Sequence, residues 1–327
     1  MEQIISFLEA AKLARKQVHR NLTVFPLLAP NGTEPDYLTL EQALSQKLIQ
    51  ITELDNEGSV PELKLNNMGI EGVLIIEGEE LVGAKQNRIV NTSFLVAGKT
   101  EVVIPVSCVE QGRWSYRSDD FESGKRMMHA SLRRAHQEDV KFSLKRGNGY
   151  RSDQGRIWRD IEEKSARMEV KAPTGAMADV YESYDDKLSE FIDKFKLIEW
   201  QVGAVFAING QILGIEGFRC HDTFKRFFDK LVKSYALDAL DNSASRQVKS
   251  VPPDKARRFI ASAVKSKGEG HRSIGLGKNI TFESRSVSGA ALVEKDRVLH
   301  LSAFKKEKKN GVSGIGFQRF SHRRSRR

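Results

Sequence analysis

The sequence predicts an α+β fold: a mixed sheet built from β-hairpins, with flanking helices. Three observations predict it. Short apolar runs such as Val73–Ile76 and Val102–Val106 have strand length and are bounded by Gly or Pro. Paired runs are joined by hairpin turns, Asn209-Gly210 giving the strongest such signal. Short strands and helices alternate at the start of the chain, and a block of helical periodicity lies between the first two hairpins.

With 327 residues, 39% apolar and 29% charged, the chain has material for a sizeable core and is not of disordered composition. No apolar run approaches the roughly 20 residues that a membrane helix needs, so no membrane partner is expected. The opening MEQIISFLEAAKLARKQVHR carries an acid before its apolar stretch and bases after it, the reverse of a secretory signal. Two cysteines, Cys108 and Cys220, make no disulfide framework. These features read as a cytosolic protein.

In chain order, Ile4, Ile5, Leu8, Ala11 and Val18 predict an amphipathic helix over 3–18. LTVFPLLAP (22–30) reads as a strand ended by prolines. Thr39 with Gln42 forms a capping-box pattern, and LIQITEL (48–54) a further strand. GVLIIEGEELVGAKQNR (72–88) and GAVFAINGQILGIEGFR (203–219) share one plan of glycine, apolar run, glycine turn and terminal arginine. They read either as a duplication that puts Arg88 and Arg219 at related places or as two ordinary hairpins. Segments 121–140 and 153–168 are helix-like, separated by RGNGY, with Asp153 as N-cap and Ile157, Ile161 and Met168 as the buried stripe of the second. Segment 185–198 reads as another helix. In 222–240, Phe224, Phe227, Phe228, Leu231 and Tyr235 share one face and Asp222 can cap. Pro253 suits the first turn of the last helix, and ALVEKDRVLHLSAF (291–304) is a third hairpin.

Charge divides the chain. Residues 241–327 hold 21 Lys/Arg against 7 Asp/Glu, whereas 1–240 hold 32 against 36. The expected organisation is a main body over 1–240, a basic helix and hairpin over 241–316 completing the same domain, and a mobile Arg-rich tail over 317–327. Such a basic segment suits nucleic acid or another polyanion, or is simply a solvated tail.

Chemistry-bearing residues gather after two of the strands. Lys85, Gln86, Asn87 and Arg88 follow one, and Ser107, Cys108, Glu110, Gln111, Arg113 and Trp114 the other. The pocket expected from them is lined by 83–88 and 107–114. Lys85, Arg88 and Arg113 suit phosphate; Gln86, Asn87, Gln111 and Glu110 suit orientation, Glu110 as a ribose-hydroxyl acceptor; Trp114 offers a stacking face, and Arg219 the related position. The competing reading is an ion-pair network of Arg88, Arg113 and Glu110 that ties two segments together. Cys108 near Arg113 or Lys85 is a candidate nucleophile, or a buried small hydrophobe. His129 and His136 have no acidic partner at ligand spacing, so no metal is expected. GxGxxG and P-loop patterns are absent, and no cofactor is called for.

The runs LTVFPL (22–27), DYLTLEQAL (36–44), GSVPEL (58–63), ELVGAKQNRIVN (80–91), IPVSCVEQGRW (104–114) and GAALVEKDRVLHLSAF (289–304) resemble the ARG-and-rhodanese-phosphatase-superfamily-associated protein domain, ARG meaning ADP-ribosylglycohydrolase. The resemblance covers roughly 20–304 and leaves the Arg-rich tail outside. It implies a prokaryotic α+β domain of exchanged hairpins with a contextual link to ADP-ribose and NAD metabolism. The expected function is therefore binding of an ADP-ribose- or NAD-derived ligand. Rival expectations are a hydrolase using Cys108 or Glu110, and a nucleic-acid or protein interaction module using the basic C-terminus.

Overall fold

The computed structural model describes residues 1–29, 34–55, 59–243 and 251–307. The fold is α+β, and its strands form three sheets. The predicted basic tail over 317–327 lies outside the described residues.

Helix α1 (Glu2–Ala10) opens the chain and buries Ile4 and Leu8. It is shorter than expected, because β1 (Lys12–Leu13) and β2 (Gln17–His19) both pair with β3 (Leu22–Leu28). Ala11 turns extended (φ −72°, ψ 120°), and Val18, expected on the helix's apolar face, is 49% exposed. Next come β4 (Tyr37–Thr39) and α2 (Leu40–Ser45), which starts with the Thr39–Gln42 capping box that its sequence predicts. Strands β5 (Ile49–Thr52), β6 (Glu62–Asn67), β7 (Gly72–Ile75), β8 (Glu79–Gly83), β9 (Arg88–Val90), β10 (Phe94–Val96), β11 (Thr100–Cys108) and β12 (Phe121–Met127) follow. Four helices come next: α3 (Ala130–Lys145), α4 (Gln154–Arg167, capped by Asp153), α5 (Met177–Ser183) and α6 (Asp185–Lys194). The chain then makes β13 (Gln201–Ile208), β14 (Gln211–Phe218) and α7 (His221–Asp241). Helix α8 (Pro253–Val264), with Pro253 in its first turn, leads to β15 (Lys267–Arg272), β16 (Lys278–Glu283), β17 (Val287–Glu294) and β18 (Arg297–Lys305).

The largest sheet runs β1-β3-β13-β14-β18-β17-β16-β15, with β2 also on β3. Its interior strand β13 is buried at every position, as expected for a strand covered on both faces. On one face Phe206 stacks on Tyr235 of α7 at 3.9 Å between ring centroids, and Phe218 on Phe227 at 5.1 Å. On the other face the alternate residues Phe25, Leu27, Val205 and Ala207 share a core with Ile4 and Leu8 of α1 and Ala256, Phe259 and Ala263 of α8. The second sheet runs β12-β8-β9-β11-β6-β5, and the third is β10-β7-β4, in which β4 is parallel to β7. These two share a separate core that includes Val73, Ile75, Phe94 and Val96 together with Leu65, Leu81, Val90 and Ile104.

The predicted hairpin-rich mixed α+β arrangement is present, divided among three sheets, but the first predicted hairpin is not one. Strand β7 pairs with β10 and β4, whereas β8 pairs with β9 and β12. The Glu77-Gly78 turn is held by third parties: Gly78 N–H donates to Val90 O at 2.9 Å, and Met128 N–H donates to Gly78 O at 2.7 Å. Gly78 has φ +84°, and a Cβ there would meet Arg133 Cδ at 2.6 Å. Residues 203–219 do form the predicted hairpin, with positive φ at both Asn209 and Gly210, as a type I′ turn requires. The third predicted hairpin, β17–β18, turns at Lys295-Asp296 in the same way. Helix α3 begins at Ala130, not at 121. Residues 121–127 instead pair with β8, with a register shift between Ser123 and Met127, where Lys125 takes φ +54°.

Candidate functional site

Strands β9 and β11 pair antiparallel, with Arg88 opposite Cys108 and Val90 opposite Val106. Val109 N–H continues the ladder to Asn87 O at 3.1 Å. This register brings the Lys85–Asn87 turn and the 109–114 segment to one end of the pair. The two clusters that the sequence singles out therefore meet.

Arg113 is their clamp. Its Nη1 donates to Ala84 O at 2.6 Å and Ser115 O at 2.8 Å, and its Nη2 to Asn87 Oδ1 at 3.1 Å. The same Nη2 lies 2.7 Å from Glu110 Oε2. Glu110 also accepts from Asn87 N–H at 3.1 Å and from the Thr174 hydroxyl at 3.1 Å. Burial pushes the Glu110 carboxyl up, yet Arg113, Asn87 and Thr174 together hold it below the usual carboxylate range. Gln86 Nε2 donates to Glu110 O at 3.0 Å and, more weakly, to Gln111 O at 3.4 Å. Gln111 itself is exposed.

Arg88 lies beneath this network, fully buried. Its Nη1 donates to Gln86 Oε1 at 2.9 Å, and its Nη2 is 3.7 Å from Glu53 Oε1, too long for a hydrogen bond. Burial raises the Glu53 carboxyl against the pull of Arg88. Cys108 is buried too. Its backbone is fixed by a two-way bond with Gln154, each hydrogen bond 2.7 Å long, and burial pushes its thiol up despite nearby Arg88. A raised, enclosed thiol is a poor nucleophile.

Above Arg88 the surface is aromatic. Trp114 and Tyr116 are 49% and 51% exposed. The Lys85 ammonium lies 5.2 Å from the Trp114 ring centroid and 5.1 Å from that of Tyr116, within cation–π range of both. The Arg88 guanidinium carbon is 5.9 Å from the Trp114 centroid. The layers from solvent inward are therefore two half-exposed rings, one ammonium and one buried guanidinium. Sequence reading named Trp114 and missed Tyr116. The available signal was an aromatic pair two residues apart, after a strand and beside a basic cluster.

Arg219 is not part of this assembly. It pairs with Asp36 and lines a cavity of about 250 Å³ beside the β17–β18 turn. No equivalence with Arg88 follows, since the two hairpins that would relate them are not alike.

A further polar cluster has the residue types of a nucleophile–base–orienter relay. Ser93 Oγ is 2.8 Å from His300 Nδ1, and His300 Nε2 is 3.7 Å from Glu216 Oε2. All three are buried, and Glu216 is also held by Arg133 and by the Tyr235 hydroxyl, each at 2.8 Å. Closed off in this way, the cluster serves to dock α3 and α7 on the large sheet. Of the histidines weighed as metal ligands, His129 caps α3 beside Asp238, and His136 bonds Asn91 with its pKa pushed down to about 4 by burial. Among the described residues, no helix is long and apolar enough to cross a membrane.

The family model of the ARG and Rhodanese-Phosphatase-superfamily-associated Protein domain matches residues 10–304. No curated protein and no solved structure matches.

Proposed function

As the chain belongs to that family, we propose that it binds an ADP-ribose- or NAD-derived ligand on the face made by Lys85, Trp114 and Tyr116. The observation that carries this reading is the pair of half-exposed rings whose centroids lie 5.2 and 5.1 Å from one ammonium. A purine stacks on such a ring, and a phosphate beside it meets the cation. Arg88 adds fixed positive charge below. Arg113, Glu110, Gln86 and Asn87 hold the loop in shape, and the exposed Gln111 lies within reach of a ligand. The narrowing from nucleotides in general to ADP-ribose or NAD derivatives rests on the family's description alone.

Binding is favoured over turnover by the state of the two catalytic candidates. Cys108 is enclosed with its thiol raised, and the Glu110 carboxylate is committed to Arg113, Asn87 and Thr174. An interaction module that grips single-stranded nucleic acid would use the same stacking chemistry, so the test must separate the two.

The test is calorimetric titration of the full chain with ADP-ribose, NAD, AMP, inorganic phosphate and a short single-stranded oligonucleotide. Binding of ADP-ribose or NAD that exceeds binding of phosphate, and that Trp114→Ala with Tyr116→Ala removes, supports the reading. Tighter binding of the oligonucleotide with a steep salt dependence would replace it with the nucleic-acid reading. Heat from none of these ligands would overturn it.

A further inference from the structure

The geometry points to a second ligand site, for a small amphipathic carboxylate, in the cavity between the three-stranded sheet and the β17–β18 turn. The cavity measures about 250 Å³. Nucleotide- and drug-sized ligands occupy pockets of roughly 300–1,000 Å³, so this one suits a smaller molecule. It does not depend on the nucleotide reading and shares no residue with the Trp114 face.

Its walls are chemically divided. Ile70, Leu95, Leu276 and Leu299 supply apolar surface. Ile70 is 84% exposed and Leu276 42%, so the apolar wall continues out to a rim that covers little of itself. Arg219, Lys295 and Arg297 bring three cations against two carboxylates, Asp36 and Glu294. The ion-pair partner of Arg219, Asp36, has a side chain 63% exposed, so a ligand carboxylate can compete for that guanidinium in a partly wet setting. Lys295 and Arg297 stand exposed on the tight turn beside it. Thus an acid head meets the cations while a short apolar body lies along the leucines.

The cavity's edges are rigid backbone. Leu276 N–H donates to Leu95 O at 2.8 Å, tying the loop before β16 to the β10 strand. At Gly275 a Cβ would lie 2.0 Å from Leu95 O, and at Gly98 another would lie 2.1 Å from Ile70 O. Two glycines therefore let three backbones approach closely enough to frame the space. A preformed apolar recess with a few convergent charges is the usual make-up of a small-molecule site.

The probe is 4-methylpentanoate, titrated into the full chain by ligand-observed NMR, with its neutral amide and inorganic phosphate as controls. The expected result is saturable binding of the acid, at least tenfold weaker binding of the amide, and no binding of phosphate at the same concentrations. Arg219→Gln with Arg297→Gln should weaken the acid at least tenfold. Leu276→Asp, a rim substitution on an exposed side chain, should do the same without unfolding the protein, and decides the matter if the double variant does not fold. Equal binding of acid and amide, equal binding of acid and phosphate, or no binding at all would each overturn the proposal. Saturating ADP-ribose should leave the acid's affinity unchanged; competition between them would overturn the separateness of this site while leaving the nucleotide reading standing.

Discussion

Replacing Arg113 with alanine decides whether that residue is a structural clamp or an available phosphate ligand. In the folded protein its guanidinium meets carbonyl oxygens of Ala84 and Ser115, the Asn87 side chain and the Glu110 carboxylate. Truncation leaves Glu110, whose side chain is 3% exposed, as a buried charge held only by Asn87 N–H and Thr174. Breaking a buried pair from one side costs about 3–5 kcal/mol. Removing the orphan charge as well, in Arg113→Ala with Glu110→Gln, should cost less than Arg113→Ala alone, and a double-mutant cycle in urea reads the difference. The pH dependence has a defined sign. The folded Glu110 pKa lies below its unfolded value, so the stabilisation is present above about pH 4.3 and is lost as pH falls through the folded value. The penalty of Arg113→Ala should accordingly be largest near neutrality and shrink in acid. A cost below about 1 kcal/mol at neutral pH, the size of an exposed pair, would refute the clamp and free Arg113 for a ligand.

Four other outcomes follow from the same structure. Trp114→Ala and Tyr116→Ala should each weaken ADP-ribose by about 5- to 150-fold, the range set by about 1–3 kcal/mol of stacking per base, measured by calorimetry with near-ultraviolet circular dichroism to confirm the fold. Cys108 and Cys220 are both buried, so the native protein should react slowly with a thiol reagent and fast only in denaturant; rapid native reaction of Cys108 would reinstate it as a nucleophile. Glu80 is buried, and burial raises its pKa to about 7 against the pull of Arg126. Its folded pKa is above the unfolded one, so its contribution to stability is lost as pH rises through about 7, and Glu80→Gln should gain on the wild type between pH 5 and 8 in urea unfolding. Burial raises Asp238 as well, but Lys164 and His129 hold it far below the usual range. Asp238→Asn leaves the buried Lys164 with Asp241 alone, and should lower stability by about 3–5 kcal/mol at neutral pH.

Much of the fold was legible where local chemistry decides. The Thr39–Gln42 capping box, the Asp153 cap and the Asn209-Gly210 turn each depend on a few adjacent residues, and each forms as read. The aromatic stripe of α7 is equally direct, since Phe224, Phe227, Phe228, Leu231 and Tyr235 are all buried. What failed depends on partners far away in the chain. Gly72–Ile75 and Glu79–Gly83 look like a hairpin locally, but β10, β4, β9 and β12 outcompete that pairing. Lys12–Leu13 and Gln17–His19 lie within helical periodicity, yet β3 offers them open ladder positions. For the site, the meeting of 85–88 with 108–114 was readable as two polar clusters after two strands. Which cation is spent on the scaffold and which faces solvent was not, because that depends on Glu110, Thr174 and carbonyl groups whose proximity only the folded chain creates.

The way the large sheet is threaded sets an order of events in its assembly. Strand β3 pairs along its whole length with β13, Leu22 opposite Ile208, whereas β13–β14 and β17–β18 are joined by tight turns. Closing a loop of about 180 residues costs on the order of 4–5 kcal/mol beyond a constant, and a two-residue turn very little. The hairpins can therefore form in microseconds, while the β3–β13 seam must wait until the intervening sheets and helices have shortened the distance. On a ribosome this delay is obligatory, because LTVFPLL emerges long before its partner is made. With β1 and β2 on one edge only, an apolar strand whose other edge is open is a sticky one. The slow step of folding, and the window in which the nascent chain is open to aggregation or chaperone capture, should both be governed by that longest-range seam of the sheet.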